Sequence, residues 1–179
     1  DVACVECNSP GCGDAVANDS RMAKVKSGLT DAVSAYGSVD WGLMRFHQRA
    51  TTFGCPTANA SNRSGGWQGA GAEPCGGGFN AGDLLVGFGP ENLDDILDWM
   101  DGTTNYGTPG YTTPPPGFDK ELRGSGTTPL AGILLSARSY ISDVQDVDAK
   151  SVCRPYRVIL VTDGGETCGG DPVNAADLL

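Results

Sequence analysis

The chain has 179 residues, the length of one domain, and 39% of them are hydrophobic, enough to bury a core. A net charge of −10, from 22 acidic and 12 basic residues, argues against nucleic acid as a partner, and no apolar run approaches the length needed to cross a membrane. Seven cysteines (Cys4, Cys7, Cys12, Cys55, Cys75, Cys153 and Cys168) lie mostly in Gly/Pro/Asn-rich segments, which favours disulfides in an oxidising compartment over cytosolic thiols and leaves one without a partner inside the chain.

Residues 1–19 read as a polar loop pinned by cross-links, with no leader peptide and no initiating Met, as expected of a mature form or a fragment. Asp19 or Ser20 can cap a helix from about Arg21 to Tyr36. Its apolar stripe is Met22, Val25, Leu29, Ala32 and Val33, with Lys24 and Lys26 outside it, and Gly37 ends it. Val39 to Phe46 reads as a strand. From His47 to Gly82 periodicity vanishes and Gly, Asn, Ser and Ala dominate, the pattern of a long functional loop that a Cys55–Cys75 bond would restrain. Leu84 to Phe88 reads as a short edge strand. Pro90 suits a first helical position, and Leu93, Ile96, Leu97 and Met100 share one face of a helix ending near Gly102. Residues 105–123, with Pro114-Pro115-Pro116, form a second irregular insertion. Gly124 to Pro129 then leads into a helix from about Leu130 to Ile141.

Tyr156 to Glu166 organises the rest. Val158-Ile159-Leu160-Val161 fits a strand buried on both faces, as in a parallel sheet. Thr162-Asp163 follows, and Gly164-Gly165 punctuates a turn. A carboxylate at the carboxyl end of a buried strand stands where open α/β sheets bind ligands; the plainer alternative is that Asp163 starts a turn or caps the next helix. Asp171-Pro172 begins a last helix, and no internal repeat interrupts the alternating order.

Three pieces together resemble a von Willebrand factor A domain: Ser20–Lys24 through Trp41–Phe46, then Gly126-Thr127-Thr128-Pro129-Leu130, then Val158 to Gly164. The resemblance spans about Ser20 to Asp177. It implies an α/β, Rossmann-like, three-layer fold with a mostly parallel sheet and one antiparallel edge strand, the whole chain 1–179 being a single partial domain with insertions at about 47–82 and 105–123. The family's first strand ends in Asp-x-Ser-x-Ser, and this chain has no such motif. Its first and last elements are therefore expected to be missing, as in a piece of a larger surface protein.

The family holds a divalent cation at the carboxyl edge of its sheet, in the metal-ion-dependent adhesion site. Thr128 matches the family's metal-site threonine and Asp163 its aspartate. Mg²⁺ or Ca²⁺ is the implied cofactor, since both are hard cations that take oxygen ligands. A protein ligand offering a carboxylate would complete the shell. Thr128 could equally cap a helix whose first residue is Pro129. Glu166 reads as a solvated loop residue or as an acceptor for a metal-bound water. The fold also implies cysteine placement: Cys168 with one of Cys4, Cys7 or Cys12, Cys55 with Cys75, and Cys153 too far from Cys168 to bond. Long insertions and cysteines are most similar to bacterial surface and pilus-associated members, of which the PilY-type tip adhesins of type IV pili are one group. Extracellular or cell-surface placement and adhesion follow as expectations.

Other chemistries fit less well. Cys4-Val5-Glu6-Cys7 with Cys12 and His47 could make a tetrahedral zinc site, but a second Cys-x-x-Cys is lacking. A disulfide-held scaffold without metal is the simpler alternative. An enzyme is not expected: Gly-x-Ser-x-Gly, His-Glu-x-x-His and the phosphate-loop motif are all absent. Asp163 and Glu166 lack the surroundings that acid/base chemistry requires. An intracellular A domain of a chelatase or AAA-type complex conflicts with seven loop cysteines.

Overall fold

The computed structural model describes residues 21–46, 82–101, 122 and 128–179. Among them lie helix α1 (Arg21–Ala35), strand β1 (Leu43–Phe46), strand β2 (Gly82–Val86), helix α2 (Leu93–Asp98), helix α3 (Leu130–Val147), a 3₁₀ turn (Ser151–Cys153) and helix α4 (Pro172–Asp177). β1 and β2 pair in a two-stranded antiparallel sheet. The chain divides into two compact units. The first holds described residues 21–43, 84–101 and 122; the second holds 44–46, 82–83 and 128–179.

In the first unit, α1 turns its Leu29–Val33 side to a core of Leu85, Val86, Ile96, Trp99 and Met100. Lys26 is buried, at 7% exposure, although it was expected outside the stripe. The reason is geometric: it stands three residues before Leu29 and seven before Val33, which at 100° per residue is the same face. α2 starts at Leu93 rather than at Pro90. Asn92 precedes it, and its side-chain amide donates to the Gly87 carbonyl instead of capping the helix. The Leu122 amide donates to the Trp99 carbonyl at 2.8 Å, which fixes the chain beyond α2.

The second unit is built on α3, which buries Leu130, Ala131, Ile133, Leu134 and Ser136. α4 packs on it through Ala175, 2% exposed, against Ala131 and Leu134. The start of α4 follows its sequence: Pro172 occupies the first turn, and the Asp171 carboxylate accepts the Asn174 amide at 3.0 Å. Gly82 is pressed close to its neighbours; a Cβ there would lie 2.7 Å from Met44 Sδ and 3.1 Å from Ser136 Cβ. Its amide donates to the buried Ser136 hydroxyl at 3.3 Å. Beside it, Arg45 Nε meets Asp83 Oδ2 at 3.4 Å, with side chains 5% and 1% exposed.

α3 runs six residues past its expected end at Ile141 and stops at Asp148. The Asp148 carboxylate gathers the following turn: it accepts the Tyr156 hydroxyl at 2.7 Å and the Lys150 amide at 2.8 Å. Those two bonds, the tyrosine's first, hold its carboxyl below the ordinary value, with Arg154 and Lys150 adding positive charge nearby. Cys153 on this turn is free and exposed.

The expected fold class is overturned. In place of a Rossmann-like, three-layer, mostly parallel sheet, the described residues carry two antiparallel strands and four helices. Val158–Val161, expected to be a central strand buried on both faces, belongs to no strand and is exposed at 37%, 68%, 36% and 42%. No strand among the described residues pairs with it. A run of β-branched residues sets a backbone preference, but burial on two faces also requires neighbouring strands to supply hydrogen bonds. The other two strands are displaced from expectation: β1 begins at Leu43 rather than Val39, and β2 covers 82–86 rather than 84–88. No helix among the described residues is long and apolar enough to cross a membrane. Cys4, Cys7, Cys12, His47, Cys55, Cys75 and most of the two insertions lie outside the described residues.

Candidate functional site

The two residues singled out by sequence both belong to the second unit. Thr128 precedes α3, and Asp163 follows the exposed Val158–Val161 stretch, 35 residues after Thr128. Thr162 shapes the chain around Asp163. Its hydroxyl donates to the Gly164 carbonyl at 3.0 Å and accepts the Gly164 amide at 3.2 Å. This closes a hydroxyl-based turn with Asp163 exposed at its tip. Thr128 stands beside that turn: a Cβ placed on Gly164 would lie 3.5 Å from the Thr128 hydroxyl oxygen. The structure thus brings the threonine hydroxyl and the Asp163–Gly164 turn together.

The loop from Thr162 to Gly170 is fastened to the start of α3 by two sets of bonds. Thr128 and Thr167 form a reciprocal bridge, in which the Thr128 amide donates to the Thr167 hydroxyl at 2.6 Å and the Thr167 amide to the Thr128 carbonyl at 3.1 Å. Glu166 makes the second set. Its Oε2 accepts the Ala131 amide at 2.9 Å and its Oε1 the Cys168 amide at 2.7 Å. Partial burial works against the charged carboxylate, but backbone donors at Ala131, Cys168, Gly170 and Leu130 outweigh it and hold the carboxyl below its ordinary value.

This arrangement corrects two sequence expectations. Thr128 is not the cap of α3; Pro129 holds that position and has no side-chain acceptor to offer. Glu166 supplies the missing acceptor from across the loop, so it is a half-buried, hydrogen-bonded residue rather than a solvated one. Thr167 was missed, and Glu166 was read without its bond to α3. A capping acceptor three residues from its donors leaves a readable motif, whereas 35 residues separate Glu166 from Ala131.

Close packing permits this contact. A Cβ on Gly170 would lie 2.5 Å from the Ala131 methyl carbon and 3.3 Å from Glu166 Oε2. Gly169, at φ 75°, makes the preceding turn in a backbone conformation that suits glycine. Cys168, just before the two glycines, is disulfide-bonded, and not to Cys153, which is free.

The oxygens assembled here suit a hard cation. Thr128 and Asp163 supply two candidate ligands, fewer than the six or more that Mg²⁺ or Ca²⁺ takes, so water and groups from elsewhere would have to complete the shell. Among the described residues, no group of three or more His, Cys, Asp and Glu side chains is placed to hold a metal.

No protein-family profile matches the chain, and no solved structure matches it. One curated relative shares a stretch: the uncharacterized protein YwmD of Bacillus subtilis (strain 168) is 46% identical over 59 residues. That stretch is 33% of this chain and spans 24% of the relative's length.

Proposed function

We propose that the chain is part of an extracellular binding module in which Thr128 and Asp163 contribute to a divalent-cation site for Mg²⁺ or Ca²⁺. The remaining ligands come from water and from the rest of a larger surface protein, and a carboxylate on a protein ligand closes the shell. One observation supports the reading: the Thr128 hydroxyl lies against Gly164, the residue after Asp163, across 35 positions of sequence. The motif resemblance to A domains picks out the same two residues from sequence alone, without the parallel sheet whose edge carries the site in that family. A disulfide at Cys168 supports placement in an oxidising compartment.

The test is calorimetric titration of Ca²⁺ and Mg²⁺ into this chain and into the intact protein. Asp163→Ala is expected to abolish cation binding without unfolding, and Thr128→Ala to weaken it. Cation binding unchanged in both variants would overturn the proposal.

One feature favours a second reading, a disulfide-held scaffold without metal. The loop already closes on α3 through Glu166 and Thr167, with no cation needed to hold it. Absence of binding to the intact protein would decide for the scaffold.

A further inference from the structure

Arg157 to Val161 are exposed at every position and belong to no helix or strand. Among the described residues, no backbone hydrogen bond ties this stretch to a neighbour. Both ends are fixed by contrast. Upstream, the Tyr156 hydroxyl donates to Asp148; downstream, Glu166 clamps the loop to the start of α3. Endopeptidases grip a substrate as an added strand, through its backbone amides and carbonyls, with one side chain seated in a specificity pocket. A stretch whose backbone groups are open enters such a cleft without any element unfolding.

The first residue of the stretch selects the enzyme class. Arg157 is exposed, and its guanidinium bonds locally, to the Tyr156 carbonyl at 2.9 Å. A pocket ending in a carboxylate takes a side chain of this charge and shape. The other described basic residues sit in backbone that resists cleavage. Arg154 precedes Pro155, whose ring fixes the backbone and removes the N–H. The Lys150 amide is held by Asp148 at the 3₁₀ turn. Arg138 and the basic residues of α1 lie within helices, and Arg45 is buried in β1. We propose that the Arg157–Val158 bond is a processing site for a trypsin-like serine endopeptidase, and that the cut leaves residues 158–179 docked on α3 as the second chain of a two-chain molecule. This inference stands apart from the cation reading.

The cut consumes a water molecule. The enzyme's serine takes the Arg157 acyl group, the Val158 nitrogen leaves with a proton, and water then frees the Arg157 carboxylate. Several attachments hold the new chain in place. Glu166 and Thr167 bond to the start of α3, and Ala175 of α4 is buried against Ala131 and Leu134. A further attachment is covalent. Cys168 is disulfide-bonded, Cys153 is free, and every remaining cysteine precedes Arg157, so the bond spans the cut.

The test is limited digestion of the intact protein with trypsin in native buffer, with new amino termini identified by mass spectrometry. An amino terminus at Val158 is expected. Its rate of appearance should stay flat as urea rises below the unfolding transition, because the bond is open in the native state. Arg157→Gln and Val158→Pro should each lose this cut, with unchanged circular dichroism. Without reductant, residues 158–179 should stay attached to the rest in denaturing electrophoresis. With reductant they should separate there, yet still co-elute with the rest from a native sizing column. Absence of the Val158 terminus in digested native protein would overturn the site. So would a rate that climbs steeply with urea, since cleavage would then require unfolding. Elution of residues 158–179 apart from the rest in native buffer would overturn the two-chain form.

Discussion

Gly170→Ala is the sharpest probe of how the loop closes on α3. The new methyl would lie 2.5 Å from the Ala131 Cβ, against the roughly 3.5–4.0 Å at which carbons pack. Ala131 cannot retreat, since it sits on the first turn of α3, 7% exposed and packed against Ala175. The loop must move by about 1 Å instead, which draws Gly170 and its neighbours away from the Glu166 carboxylate. Overpacking of this kind costs about 1–3 kcal/mol, and strained hydrogen bonds to a charged acceptor add to it, so about 3 kcal/mol is expected in urea denaturation followed by circular dichroism. Ala131→Gly removes the opposing methyl and should cost about 1 kcal/mol by itself through helix propensity. In the double variant the clash disappears and only the roughly 1 kcal/mol of Ala131→Gly remains, a coupling of about 3 kcal/mol between the sites. Gly169→Ala serves as a control: its cost of about 1 kcal/mol comes from φ 75° and should not be relieved by Ala131→Gly. Additive effects of Gly170→Ala and Ala131→Gly would refute the close-approach argument.

Three further outcomes follow from the same contacts. Asp83→Asn leaves the Arg45 guanidinium buried beside an uncharged group and should destabilise by about 3 kcal/mol, whereas Arg45→Met with Asp83→Leu should recover most of that; equal destabilisation in single and double variants would contradict it. The Glu166 carboxyl is depressed in the folded chain, so the native state binds fewer protons than the unfolded one; its contribution is complete above about pH 4.3 and is lost as pH falls through the lower folded value, and amide exchange at Cys168 should rise there in wild type but not in Glu166→Gln. Tyr156→Phe removes the hydroxyl that donates to Asp148, so the Asp148 carboxyl should titrate closer to its ordinary value in a carbon-detected NMR titration; an unchanged midpoint would show that the hydrogen bond is not the cause.

Helices α1 and α3 were legible because their apolar residues recur at helical spacing over four or more turns, and α4 because Asp171-Pro172 is a strong start signal. The face of α1 was legible only in part, since Lys26 lies on the buried side and residue type alone suggested otherwise. The sheet was misread at Val158–Val161. Those four residues have the composition of a buried strand, but composition does not supply the strands that must flank it. Thr128 and Asp163 were singled out by motif resemblance; that the Thr128 hydroxyl lies against Gly164, next to Asp163, required the structure. Glu166 was legible as a solvated loop residue or an acceptor for a metal-bound water, but its bond to α3 was not, because the donor lies 35 positions away in sequence. The glycines after it gave no hint of their division of labour, one serving a backbone angle and the other a lack of room.

The exposed Val158–Val161 stretch also bears on how the protein behaves in concentrated solution. An exposed apolar segment rich in β-branched residues is a template for pairing between copies, and short windows of this composition seed aggregates. Charges at Arg157 and Asp163 flank it and act as gatekeepers, while a net charge of −10 keeps copies apart near neutral pH. Acid removes the second protection by neutralising carboxylates, and over the same pH range it loosens the Glu166 clamp seven residues downstream of Ile159. Acidic elution or storage therefore exposes the molecule to self-association through this segment, and neutral, low-salt buffers favour the dispersed chain.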